Sequence, residues 1–115
     1  LFIFMRMVVV TEQLKEVFME NPLYSKDGQG KKAIVIARFY LPFTDACWLI
    51  TEAEPCNDDD WLLFGYCHIL EWEFGYVLLS EIQQLNVKGV TVELDLYLPE
   101  NQSIQDCLNS LSFSK

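Results

Sequence analysis

At 115 residues, 51% hydrophobic and 14% aromatic, the chain has the length of a single domain, 1–115, and enough apolar surface for a sizeable core, which excludes intrinsic disorder. Its 17 Asp and Glu against 8 Lys and Arg give a net charge of -9, a field that repels phosphate backbones and anionic membranes. Direct nucleic-acid binding is therefore not expected; basic partners, divalent cations or plain solubility are the uses such a charge has.

The first ten residues, LFIFMRMVVV, are apolar but shorter than the ~20 residues that span a bilayer, and they lack a basic leader and a small-residue cleavage site. They are expected to form an edge strand or an ordered lead-in, with Met5 or Met7 as an alternative natural start. Thr11 then reads as a helix N-cap, with Glu12 in the first turn and Leu14, Val17 and Phe18 at helical spacing, the helix ending near Asn21-Pro22. The following SKDGQGKK, Ser25 to Lys32, is a loop and not a phosphate loop, since its glycine spacing is wrong and no GK[ST] follows.

Ala33 to Leu41 is β-branched and aromatic and reads as a strand; Pro42 to Ala46 turns the chain, and Cys47 to Glu52 returns as its hairpin partner. Glu54 to Asp60 is a second connection. Its Asp58, Asp59 and Asp60 lack the spaced ligand pattern and terminal Glu of a calcium loop, so a solvated acidic turn is expected. Trp61 to Leu79 exceeds the ~5 to 6 residues of an ordinary strand and must bend or reverse. Its even positions from Phe64 to Leu78 hold nearly all the large rings, while Gly65, Cys67, Glu71, Glu73 and Gly75 occupy odd positions. The rings are thus expected on one face, as sheet core, with Glu71 and Glu73 facing solvent on the other. Gly75 is expected to mark a bulge or a close backbone approach.

Ser80 and Gln83 form a capping-box pattern opening a short helix, with Ile82 and Leu85 inward. Val90 to Leu98 alternates cleanly and reads as one continuous strand, and Ser103 opens an amphipathic tail with Ile104, Leu108 and Leu111. The order predicts an α+β fold: a single curved, mainly antiparallel sheet of about five strands, with an N-terminal helix, a short helix before the last strand and a C-terminal helix, covered on one face.

The four cysteines, Cys47, Cys56, Cys67 and Cys107, have irregular spacings without a Cys-x-x-Cys pair, and His68 is the only histidine. No structural metal and no cofactor are expected, and the thiols read as reduced, small buried hydrophobes in a cytoplasm.

Asn21-Pro-Leu-Tyr24, Arg38-Phe-Tyr40 before Pro42, Trp48 to Glu52, Leu63-Phe-Gly-Tyr66, Glu73-Phe-Gly-Tyr76, Leu79-Ser-Glu81 and Glu93-Leu-Asp-Leu96 together resemble a family of short proteins from bacterial plasmids, conjugative elements and phages, known as a domain of unknown function. The resemblance runs from about Thr11 to Leu98. It departs from the family pattern at Leu94, where a basic residue is expected between the two acids, and at Val77-Leu78. If that basic residue neutralises its neighbours, this chain carries a more acidic patch. The resemblance implies a mobile-element setting and an accessory role, but no activity.

The expected function is that of a small acidic, non-enzymatic accessory protein, cytoplasmic in a bacterial host, which binds and inhibits a basic macromolecule such as a defence nuclease. Glu71, Glu73, Glu93 and Asp95, paired on alternating strands, with Trp72 and Tyr76, are the expected contact residues. One alternative is a pocket holding a small molecule or metal between sheet and helices, using Trp48, Trp72 or Tyr76. Another is an enzyme built on the four carboxylates, although alternating acids more often mark the wet face of a strand and no nucleophile and base accompany them.

Overall fold

The computed structural model describes Val8 and residues 10–113, so the expectation for the start of the chain falls largely outside the described residues. Thr11 caps the first helix, α1 (Glu12–Glu20), its Oγ1 accepting the Leu14 N–H at 3.1 Å, and Asn21 ends it where Pro22 cannot continue the ladder. Phe18 is the buried residue of this helix and meets Trp61 edge to face, 5.1 Å between ring centroids.

Four strands follow as three successive hairpins: β1 (Ala37–Tyr40), β2 (Cys47–Cys56), β3 (Asp60–His68) and β4 (Trp72–Leu78). The long aromatic run therefore reverses, turning over residues 69–71. After β4 come α2 (Leu79–Gln84), a small separate ribbon of β5 (Asn86–Val87) and β6 (Val90–Thr91), then β7 (Glu93–Leu94) and α3 (Ile104–Phe113). The main sheet is antiparallel in the order β4-β3-β2-β1-β7. The α+β architecture, with helices before, between and after the strands, is the expected one.

Both faces of the sheet are covered, where the element order suggested one. On the first face Phe39, Trp48, Ile50, Leu63 and Val92 pack with Phe18 of α1 and Leu79 and Ile82 of α2. On the second, Ile104 and Cys107 of α3 close over Ala33, Val35, Cys47 and Leu49. Ser103 and Asp106 tie down the start of α3 by reciprocal bonds, the Asp106 N–H to Ser103 Oγ and the Ser103 N–H to Asp106 Oδ2, both 3.0 Å.

Two local expectations fail for reasons of backbone chemistry. Val90 to Leu98 is not one strand. Lys88 and Gly89, with φ of 53° and 88°, turn the β5–β6 ribbon. Past β7, Asp95 Oδ1 accepts the Tyr97 N–H at 2.9 Å and leads the chain out of the sheet, leaving Tyr97 90% exposed. The cap of α2 also lies two residues earlier than Ser80. Glu81 Oε1 accepts the Leu78 N–H at 2.9 Å, while Ser80 turns its hydroxyl and N–H to Asp60 and Gln83 reaches Val8 O.

Candidate functional site

Directly opposed residues of an antiparallel pair share a face. Glu93, Tyr40, Cys47, His68 and Trp72 are successive partners across the whole sheet, from β7 to β4, and so form one row on the face that carries α3. Arg38, Leu49, Tyr66 and Phe74 form the next row. The register of β2 against β3 then shifts between Ile50 and Glu52, an extra residue that turns Glu52 onto this same face, in a third row with Phe64 and Tyr76.

The expected segregation of rings therefore holds, but the rings are not the sheet's main core. Leu63, Cys67 and Val77 face that core, while the rings form a ribbon on the α3 face, where Tyr66 and Trp72 pack against the cluster of Ile104 and Cys107. Centroids lie 4.9 Å apart for Phe64 and Tyr76, 4.7 Å for Tyr66 and Phe74, and 5.2 Å for Tyr66 and Trp72. Phe74 and Tyr76 remain 44% and 52% exposed, and Lys31 Nζ stands 5.2 Å from the Tyr66 ring centroid.

The acidic candidates are not brought together. Glu73 is partnered by Cys67, and through it the row runs to Trp48, Phe39 and Leu94 on the α1 face; Glu93 lies on the opposite face and at the opposite edge. Four inter-strand steps of ~4.8 Å put the two edges roughly 19 Å apart. Glu73 is exposed as expected, while Glu71, also exposed, belongs to the turn before β4. Asp95 is engaged by Arg38 Nη1 at 3.2 Å, and Glu93 Oε1 accepts the Tyr40 hydroxyl at 3.2 Å. Desolvation, together with the charges of Glu93 and Asp95, pushes the Tyr40 phenol up. Leu94 points to the other face, against Phe39, so the neutralising cation in this chain is Arg38 and not the residue between the acids.

Tyr40, Cys47, His68 and Trp72 of the first row line a cleft of about 600 Å³ together with Leu41, Pro42 and Phe43 and, from α3, Leu108 and Leu111. Trp72 closes one end and Arg38, its guanidinium 4.8 Å above the Tyr40 ring, the other. Tyr76 does not line it, and Trp48 is buried in the core of the opposite face.

Residues 9–110 match the family described as Protein of unknown function (DUF2958). The chain belongs to this family. No curated protein and no solved structure matches it. The DUF2958 match takes in β1–β4, β7 and most of α3, so it contains the ring ribbon and all of the cleft lining but Leu111.

In this DUF2958 chain the thiols are poor nucleophiles. All four are free. Burial pushes Cys67 up to about 12 and Cys107 up to about 11, and it raises Cys47 despite the facing Arg38. Among the described residues no three of His, Cys, Asp and Glu converge as a metal-ligand set, and no helix is long and apolar enough to cross a membrane.

The residue that the sequence did not single out is Glu52. Only 4% exposed, it accepts the backbone N–H groups of Tyr24 at 2.8 Å and Lys26 at 3.1 Å, pinning the loop after α1 beside the ring ribbon. Burial pushes the Lys26 ammonium down, opposed by Glu52, while its Nζ donates to Ile34 O at 2.9 Å. A glutamate inside the apolar run Cys47 to Ala53 was the available signal.

Proposed function

We propose that the protein is a small, non-enzymatic binding protein that takes an extended, basic segment of a macromolecular partner along the open edge of β4. One observation carries this reading. Seven residues long, β4 has no neighbour on its outer side among the described residues, whereas the other edge, β7, offers two residues. A free strand edge presents unpaired N–H and C=O groups to any chain that can ladder with them. The side chains sort by face: Trp72, Phe74 and Tyr76 on one, Glu73 on the other, with Glu71 leading in. An incoming strand alternating apolar and basic residues would lay the former on the rings and the latter on the acids, and the net charge of -9 draws such a partner in.

Glu93 and Asp95 play no part in this contact, being at the far edge and engaged by Tyr40 and Arg38. The reading includes an accessory role in the cytoplasm of a bacterial host carrying a mobile element, with a basic defence nuclease as the kind of partner to be inhibited. The unfilled roles of nucleophile and base support a non-enzymatic protein.

Binding of a fluorescein-labelled alternating Lys-Val octapeptide, followed by anisotropy, tests this. Binding should weaken at least tenfold in the double variant Glu71→Lys, Glu73→Lys, and should fall with salt as the charges are screened. The same octapeptide with its central Lys-Val pair replaced by two prolines should also bind at least tenfold less, because proline cannot donate to the ladder. Equal binding of the proline peptide, or no loss in the double variant, would overturn the reading.

A further inference from the structure

Two of the side chains that line the cleft, Arg38 and His68, each hold a buried nitrogen, Nε and Nδ1, with no hydrogen-bond partner among the described residues. Buried polar atoms are nearly always paired, since leaving one unsatisfied costs about 1–3 kcal/mol, so two in one cleft require an explanation. Other contacts hold these side chains in place. Arg38 gives Nη1 to Asp95 and lies over Tyr40, and the His68 ring packs on Trp72 with centroids 5.2 Å apart. Arg38 also faces the Cys47 thiol, and none of these contacts supplies a partner for Nε or Nδ1.

We infer that this cleft is a binding site for a small, neutral, planar molecule carrying a carbonyl-type acceptor, of the cyclic amide class. The volume of about 600 Å³ falls within the roughly 300–1,000 Å³ of ligand pockets, and the walls match their pattern of apolar lining with a few convergent polar groups. Arg38 Nε is only ever a donor, so the ligand must bring an acceptor. His68 Nδ1 donates or accepts according to tautomer, and so suits the adjacent oxygen or N–H of an amide. Trp72 and the apolar side chains of Leu108 and Leu111 provide surfaces for a flat ring.

Charge selects the neutral class. Among the described residues Arg38 is the one cation lining the cleft; Asp95 already neutralises it, and Asp45 adds a carboxylate. A further anion would enter a site whose single positive charge is already used, in a chain of net charge -9. A cation would face the guanidinium.

This site shares Trp72 with the β4 edge but uses neither the outer backbone groups of β4 nor Glu73. Titration of ¹⁵N-labelled protein with 2-pyridone and with uracil, both neutral cyclic amides, and with benzoate as the anionic control, tests the assignment. At least one of the amides should give saturable shifts confined to the amides of residues 38–47, 68, 72 and 108–111, with benzoate at least tenfold weaker. His68→Phe, which keeps a ring against Trp72 and removes Nδ1, should weaken the amide at least tenfold. Leu108→Trp, which fills the cleft from α3, should abolish the shifts, and supplies the test should the His68 variant not fold. Glu73→Lys should leave them unchanged, which separates this site from the edge. Absence of saturable shifts with both amides, equal or tighter binding of benzoate, or undiminished binding in both His68→Phe and Leu108→Trp would overturn the assignment.

Discussion

Gly65 lies so close beneath the carbonyl of Leu49 that a Cβ at position 65 would stand 1.9 Å from that oxygen. The contact arises where β2 gains its extra residue, and it is the bulge that turns Glu52 onto the face of the rings. Gly75, its partner on β4, has nothing within 4 Å of the equivalent point, so the close approach expected at Gly75 occurs one strand further in. Gly65→Ala should therefore destabilise the protein by about 2–3 kcal/mol or more, because backbone has to move. Gly75→Ala should stay within about 0.5 kcal/mol of the parent. Urea unfolding of the two variants decides between them; equal effects would contradict the geometry.

Glu52→Ala should leave the N–H groups of Tyr24 and Lys26 without their acceptor. Bonds to a charged group contribute roughly 1.5–3 kcal/mol each, so a loss of about 3 kcal/mol is expected, with Glu52→Gln costing less because one oxygen remains. The two amides should also lose hydrogen-exchange protection ahead of those in β2 and β3. Unchanged protection at residues 24 and 26 would show that the loop is held by other contacts.

Asp60 gives a pH dependence of known sign. Against some desolvation, the Ser80 hydroxyl and the N–H groups of Trp61 and Ser80 hold its carboxyl below the usual range. A carboxylate with a depressed native pKa contributes stability above the unfolded value of about 4, and the contribution is lost as pH falls through the native pKa. Ser80→Ala should therefore lower stability by about 1 kcal/mol at pH 7, and the gap from the parent should close as the pH falls through the depressed native pKa. A gap that is constant from pH 7 to pH 2 would mean that Ser80 acts through helix propensity alone.

Cys56 should be the thiol labelled by iodoacetamide in the native protein at pH 8. It is exposed, while Cys47 and Cys107 are buried and Cys67, half-buried, is pushed up to about 12. Partial desolvation, with the Asp60 and Glu54 carboxylates, raises the Cys56 thiol, so its labelling should be slower than that of a free cysteine and should accelerate as pH rises. Mass spectrometry should find one modification before unfolding and four after. Fast native labelling of Cys67 would refute the burial of its sulfur.

Much of the architecture is legible in the chain because its signals are local. Thr11 and Ser103 cap helices with their own hydroxyls three residues ahead, and the alternation from Phe64 to Tyr76 follows from the pleat of a strand. The break after Leu94 is less legible, since Asp95 serves equally as the outward residue of a strand and as the acceptor that turns the chain out of it.

By itself, the sequence determined the α+β element order, the -9 charge and the sorting of rings from small and acidic residues along β3 and β4. The tertiary structure alone decided what those patterns are used for. Which face is buried depends on where α1, α2 and α3 come to rest, contacts between residues far apart in the chain. Whether Glu73 and Glu93 meet depends on strand order, which places β4 and β7 at opposite edges. Periodicity records which side a residue takes relative to its neighbours along the chain, but not which strand lies alongside or which layer packs above. Those are set by the summed burial of both faces, and a bulge of one residue in β2 is enough to reverse the side on which Glu52 emerges.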